Sequence, residues 1–125
     1  MNNRIDISYW VEAKATSAVR RFYPSAVAKE LSIPINIVFE KLVDMVRDGK
    51  LDLLWEVICP ECYRACSIDT SQDAKLNLEC ECVAGHTFVV GIDNIVPSFQ
   101  ITNNYISKAR ENSKKKEQSL RLMPV

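Results

Sequence analysis

Cys59-Pro60-Glu61-Cys62, followed by Cys80-Glu81-Cys82-Val83-Ala84-Gly85-His86, is the stretch on which the reading of the whole chain turns. Two short sulfur-rich turns separated by roughly twenty residues are the sequence form of a structural zinc site. All five cysteines and the single histidine of the 125-residue chain lie between Cys59 and His86, which a random scatter of thiols rarely produces. A Cys-x-x-Cys turn aims both thiolates at one ion, so Cys59 and Cys62 form the first half of the site. Strand parity selects the second half. Cys59 ends one alternating segment, Cys82 ends another, and Cys82-x3-His86 then mirrors Cys59-x2-Cys62. The expected ligands are therefore Cys59, Cys62, Cys82 and His86 around a structural Zn2+. Cys80 is the alternative ligand: in the rival set, Cys59, Cys62, Cys80 and Cys82 hold the ion and His86 is merely near. Outside the shell, Cys80 fits a core position beside Leu78, and Cys66 reads as a small buried apolar group.

Other chemistries for these residues are weaker. Cys-Pro-x-Cys also occurs as a redox dithiol, but that fold needs a βαβ context, whereas here the motif follows one strand and precedes another. A catalytic zinc needs an open coordination place and a nearby acid or base. Four protein ligands are on hand and there is no second histidine, which favours a closed site. No nucleophile or acid–base pair stands out elsewhere, so the chain is read as non-enzymatic.

Upstream, a first helix is expected over Ile7 to Phe22, with Trp10 and Val11 to bury. A short second helix spans Pro24 to Leu31, and Ser32-Ile33-Pro34 makes the turn into a third. In that third helix, Ile35 to Asp48, the residues Ile35, Val38, Phe39, Leu42, Val43 and Val46 form one apolar stripe at helical period. Ile37 and Met45 fall on the outward face. Gly49 is placed to take a left-handed cap. Leu51, Leu53, Trp55, Val57 and Cys59 then alternate with Asp52, Leu54, Glu56 and Ile58, a strand leading straight into the first metal turn. Downstream, strands are expected over Arg64 to Asp69, Leu76 to Cys82, Thr87 to Val90 and, at an edge because of Pro97, Ile95 to Ile101. Two turns facing each other across a small sheet describe a zinc ribbon.

The fold class expected is α+β: an N-terminal winged helix-turn-helix of three helices and a strand packed on a small β zinc ribbon. The boundaries are 1–58 for the winged-helix-like domain, 59–102 for the ribbon, and 103–125 for a charged C-terminal tail, helical or disordered. The chain is 47% apolar with mean hydropathy near zero, which fits a soluble globular protein. No apolar run reaches membrane-spanning length, and Met1-Asn2-Asn3-Arg4 lacks the apolar core of a signal peptide, so a cytoplasmic site with reduced thiols is expected.

Charge separates the candidate partners. The formal net charge is zero, yet residues 59–98 carry two basic side chains (Arg64, Lys75) against six acidic (Glu61, Asp69, Asp73, Glu79, Glu81, Asp93). Residues 99–125 reverse this, with six basic against two acidic. A nucleic-acid binder concentrates Lys and Arg on its folded surface. Here the third helix shows three acids (Glu40, Asp44, Asp48) against two bases (Lys41, Arg47) on its outward face. Arg20, Arg21, Asn36 and Lys41 are the residues that a DNA-binding reading would use. The tail reads first as a solvated end, helical or disordered, with Leu120, Leu122, Met123 and Val125 as the residues that a docking segment for a partner chain would use instead.

The helix-turn-helix pattern of 25–48 followed by metal turns at 59–62 and 82–86 resembles archaeal and eukaryotic transcription factor E alpha. The resemblance implies a pair of modules that binds the transcription machinery mainly through protein contacts. This chain differs in the near absence of a spacer between modules and in its Cys82-x3-His86 turn. Arg20-Arg21-Phe22, Gly49 to Trp55 and the Cys59-Pro60 turn also resemble small accessory modules beside bacterial signalling enzymes such as some adenylate cyclases, which implies recruiting or sensing. The expected function is a zinc-binding adaptor or accessory subunit that engages a protein partner in a prokaryotic signalling, transcription or defence assembly. The alternative is a DNA-binding regulator of the winged-helix type.

Overall fold

Ile7, Val11 and Ala15 recur every four residues and are completely buried, which sets the inward side of the first helix, α1 (Asn3–Ala15). The computed structural model describes the backbone of residues 3–122 and the side chains from Asp6 to Asn112. Contacts divide the chain into two units, residues 1–52 with 100–125, and residues 53–99.

In the first unit α1 is shorter than the helix expected over Ile7 to Phe22. The Thr16 hydroxyl donates to the Ala13 carbonyl (2.9 Å) and the Ser17 hydroxyl to the Lys14 carbonyl (2.7 Å). These local bonds take up carbonyls that further helix would have used, and the chain straightens. It continues as a two-residue strand, β1 (Arg21–Phe22), that carries Phe22 inward against Trp10, ring centroids 5.0 Å apart in an edge-on contact. The Trp10 indole N–H donates to the Glu30 carboxylate, tying α1 to α2 (Pro24–Leu31). Proline at the first position of α2 loses no helical donor, and Ser32, at φ 54°, closes the helix in the left-handed region.

Helix α3 (Ile35–Arg47) packs against both α1 and α2. Its buried residues are Val38, Leu42 and Met45, so the inward stripe is turned from the one expected. Met45, expected on the outer face, is 1% exposed, whereas Ile35 is 54% exposed and Phe39, Val43 and Val46 are half-buried. Contact with two helices covers more than one side of α3, which draws Met45 in. Gly49 (φ 78°) ends the helix as expected: its N–H donates to the Val46 carbonyl and the Lys50 N–H to the Met45 carbonyl, both at 3.0 Å.

Strand β2 (Leu51–Ile58) follows, then β3 (Ala65–Asp69), β4 (Glu79–Glu81), β5 (Thr87–Val89) and β6 (Ile95–Ile101). The larger sheet is antiparallel in the order β1-β6-β2-β3, and β4 and β5 form a second, two-stranded sheet. β6 therefore lies between two strands and not at the edge its proline suggested. The Ile101 N–H donates to Arg20 and the Thr102 N–H to Lys50. By alternation the missing Pro97 donor falls on the β1 side, and β1 is only two residues long.

In the 53–99 unit, Val57, Val90 and Ile95 form a small core with Trp55, Leu76, Cys80 and Phe88 packed on it. Cys80 and Phe88 are cross-strand partners and share this inward face. Leu78 does not join them. Asn77 adopts φ 67°, which interrupts the alternation expected from Leu76 onward, and Leu78 is left 51% exposed.

The C-terminal segment is helical as far as it is described, forming α4 (Asn103–Leu122). Thr102 starts it: its hydroxyl accepts the Tyr105 N–H at 3.2 Å and donates to the Gly49 carbonyl at 2.9 Å. Ile106 and Ala109 are buried, and α4 packs on α1. The side chains of Leu120, Leu122, Met123 and Val125, the alternative docking segment, lie outside the described residues. Among the described residues no helix is long and apolar enough to cross a membrane. Replacing Ile106→Ala is expected to cost roughly 2–5 kcal/mol in denaturant unfolding while metal content stays unchanged. A change below about 0.5 kcal/mol, the usual range for a surface position, would detach α4 from the core.

Candidate metal centre

Each of the two turns begins where a strand stops. β2 ends at Ile58 and delivers Cys59; β4 ends at Glu81 and delivers Cys82. In the first turn the Tyr63 N–H donates to the Cys59 carbonyl and the Cys59 N–H to the Arg64 carbonyl, both at 2.9 Å. In the second, the Gly85 N–H donates to the Cys82 carbonyl and the Cys82 N–H to the His86 carbonyl, again at 2.9 Å. One left-handed residue reverses each turn: Gly85 at φ 89° and Tyr63 at φ 58°. Glycine meets this demand at no steric cost, whereas tyrosine is strained there.

These turns bring the donor atoms of Cys59, Cys62, Cys82 and His86 within 4.8 Å of one another. Cys62 Sγ lies 3.7 Å from Cys82 Sγ, and His86 Nδ1 lies 3.2 Å from Cys82 Sγ and 3.7 Å from Cys59 Sγ. Ligands bound to a tetrahedral zinc at the usual bond lengths stand about 3.8 Å apart for two thiolates and about 3.6 Å for thiolate and imidazole. The spacing fits a shared ion. It is also far too long for a disulfide, and all five thiols are free. Cys59 and Cys82 are buried, while Cys62 and His86 are half-buried, so the donors have both a dry side and an entry path.

The local electrostatics prepare sulfur for negative charge. Burial alone pushes the Cys59 thiol up, but backbone N–H groups of Cys62 and Glu61 and the thiols of Cys62 and Cys82 outweigh it and hold Cys59 below its ordinary value. Cys82 follows the same pattern: burial raises it, and the N–H groups of His86 and Ala84 bring it below ordinary. Cys62 receives the Arg64 N–H, but burial and the neighbouring Cys59 and Cys82 leave it above ordinary. Three sulfurs this close cannot all ionise without a cation among them. The group can hold a metal ion.

Cys80 is not one of these four; it packs on the Val57, Val90 and Ile95 core. Cys66 is half-buried on β3 with its thiol toward the Arg64 carbonyl (3.7 Å), and burial followed by the charges of Cys59, Cys82 and Cys80 raises it. Arg20, Arg21 and Asn36 are exposed and Lys41 is half-buried. Sequence reading overlooked Glu61, whose carboxylate lies 3.2 Å from His86 Nε2. Its position inside Cys-x-x-Cys was the available signal. No family model, curated protein or solved structure matches the chain.

Two outcomes follow from this geometry. Cys59→Ser and Cys62→Ser are expected to abolish metal retention and unfold the 53–99 unit, whereas Cys66→Ser and Cys80→Ser keep one metal per chain by elemental analysis. Equal loss across all four variants would break the donor assignment. Separately, Tyr63→Gly is expected to raise the stability of the metal-loaded protein by about 1 kcal/mol, seen as a higher denaturation midpoint, because it relieves a left-handed side-chain residue.

Proposed function

We propose that this chain is a non-enzymatic adaptor, stabilised by a structural zinc ion, that engages a protein partner within a larger assembly. Three thiolates and one imidazole suit Zn2+, and a shell filled by protein donors leaves no place for substrate. In this proposal the helical unit is a winged helix. Its support is the chain order α1-β1-α2-α3-β2 with β6 returning between β1 and β2. The segment between β2 and β6, with the two metal turns, is then a zinc ribbon, a pairing akin to the modules of transcription factor E alpha.

The observation that carries the protein-partner reading is the surface of α3. Ile35 is 54% exposed, and Phe39, Glu40, Val43, Asp44 and Arg47 line a shallow cavity of about 300 Å3. An apolar and acidic face suits a protein and repels phosphate. The 53–99 unit adds two basic residues (Arg64, Lys75) against seven acidic (Glu56, Glu61, Asp69, Asp73, Glu79, Glu81, Asp93). The alternative, a DNA-binding regulator, rests on exposed Arg20, Arg21 and Asn36.

Fluorescence anisotropy with random duplex DNA across a salt series separates the two. The adaptor reading expects no binding at low salt, together with a stoichiometric partner retained by the native protein and released by Ile35→Asp. Micromolar DNA binding that falls steeply with salt, unaffected by Ile35→Asp, transfers the function to the regulator.

A further inference from the structure

The two nitrogens of His86 face opposite partners. Nδ1 points at sulfur, 3.2 Å from Cys82 and 3.7 Å from Cys59, and Nε2 points at the Glu61 carboxylate, 3.2 Å away. A neutral imidazole carries one N–H and one lone pair, and an ionised carboxylate only accepts. If Nδ1 gives its lone pair to a metal in the donor cluster, the one proton of the ring must sit on Nε2, which faces Glu61. Metal-bound histidines characteristically give their second N–H to a carboxylate in this way, which fixes the ring and raises its basicity.

Glu61 stands between Cys59 and Cys62, so it reaches the fourth donor from within the first turn. A residue of the first turn thus acts on the second through its side chain. We infer that Glu61 is a positioning residue of the metal centre, holding His86 in the Nε2–H tautomer so that Nδ1 completes the shell. This rests on the reading of Cys59, Cys62, Cys82 and His86 as metal donors. The Glu61 side chain is 66% exposed, and a solvent-exposed contact of this kind adds little stability by itself. Its contribution is orientation, and the expected effect sits at the low end of the range for such outer partners, about tenfold in metal affinity.

The test uses the full chain loaded with Zn2+ or Co2+. Metal affinity is measured by competition with a chromophoric chelator, the donor set by Co2+ absorption, and the ring by 15N-imidazole NMR. Glu61→Ala is expected to lose about tenfold in affinity. It should keep the native Co2+ spectrum while the slowly exchanging Nε2–H signal disappears. Glu61→Gln, whose amide oxygen still accepts, should restore that signal and part of the affinity. Unchanged affinity and an unchanged Nε2–H signal in Glu61→Ala would falsify the role of Glu61 alone. His86→Ala with native affinity and an unaltered Co2+ spectrum removes histidine from the shell, and overturns the donor set along with Glu61.

Discussion

Three sulfurs and one imidazole nitrogen held within 4.8 Å of one another set the terms for the 53–99 unit. Besides Cys59 and Cys82, its buried apolar residues are Val57, Val90, Ile95 and Phe99, and its second sheet has two strands of three residues each. A hairpin that short is not stable alone, and so small a core cannot offset the entropy of ordering about fifty residues. The turns meet without a large apolar surface to hold them, and their thiolates repel. A cation held by the four donors would offset both deficits, because its binding energy, on the order of 10 kcal/mol for structural zinc, exists only when the turns are together. In such a unit, the metal centre and the fold are one equilibrium.

The chain order solves a second problem, the closure of a long excursion. Residues 53–99 leave the first unit through β2 and return through β6. The ends are joined at Thr102, whose N–H donates to the Lys50 carbonyl and whose hydroxyl donates to Gly49. The same hydroxyl then caps α4. One threonine joins the α3–β2 turn, the end of β6 and the start of the last helix. Loop-closure cost grows only slowly with length, so a few bonds at the base suffice for a large insertion.

Local chemistry was readable in the sequence where it is self-contained. α2 runs from Pro24 to Leu31, β6 from Ile95 to Ile101, and Gly49 adopts its left-handed cap, because proline, alternation and glycine act within a few residues. The four clustered donors were legible for the same reason, through turn spacing and parity. What escaped notice depended on neighbours distant in sequence. Met45 turns inward because two helices cover α3, and α4 gains a buried face by packing on α1. The end of α1 was lost to two hydroxyls that bond backward, and Leu78 to the positive φ of Asn77. Glu61 looked like surface charge because nothing in a linear pattern says which carboxylate a folded imidazole will face.

The two units differ in what their surfaces depend on. Every cysteine and the one histidine lie in 53–99, so the helical unit, with Ile7, Val11, Val27, Val38, Leu42 and Met45 buried, is built on apolar packing alone. The α3 face with Ile35, Phe39 and Val43 carries none of the metal donors. In the proposed adaptor, the surface around exposed Tyr63 and Val83 on the two turns is the one that a bound metal would hold in place. A partner that reads α3 senses the presence of the chain; one that reads the metal turns senses its loaded state. The proposed adaptor thus carries one constitutive face and one whose presentation is linked by mass action to metal binding.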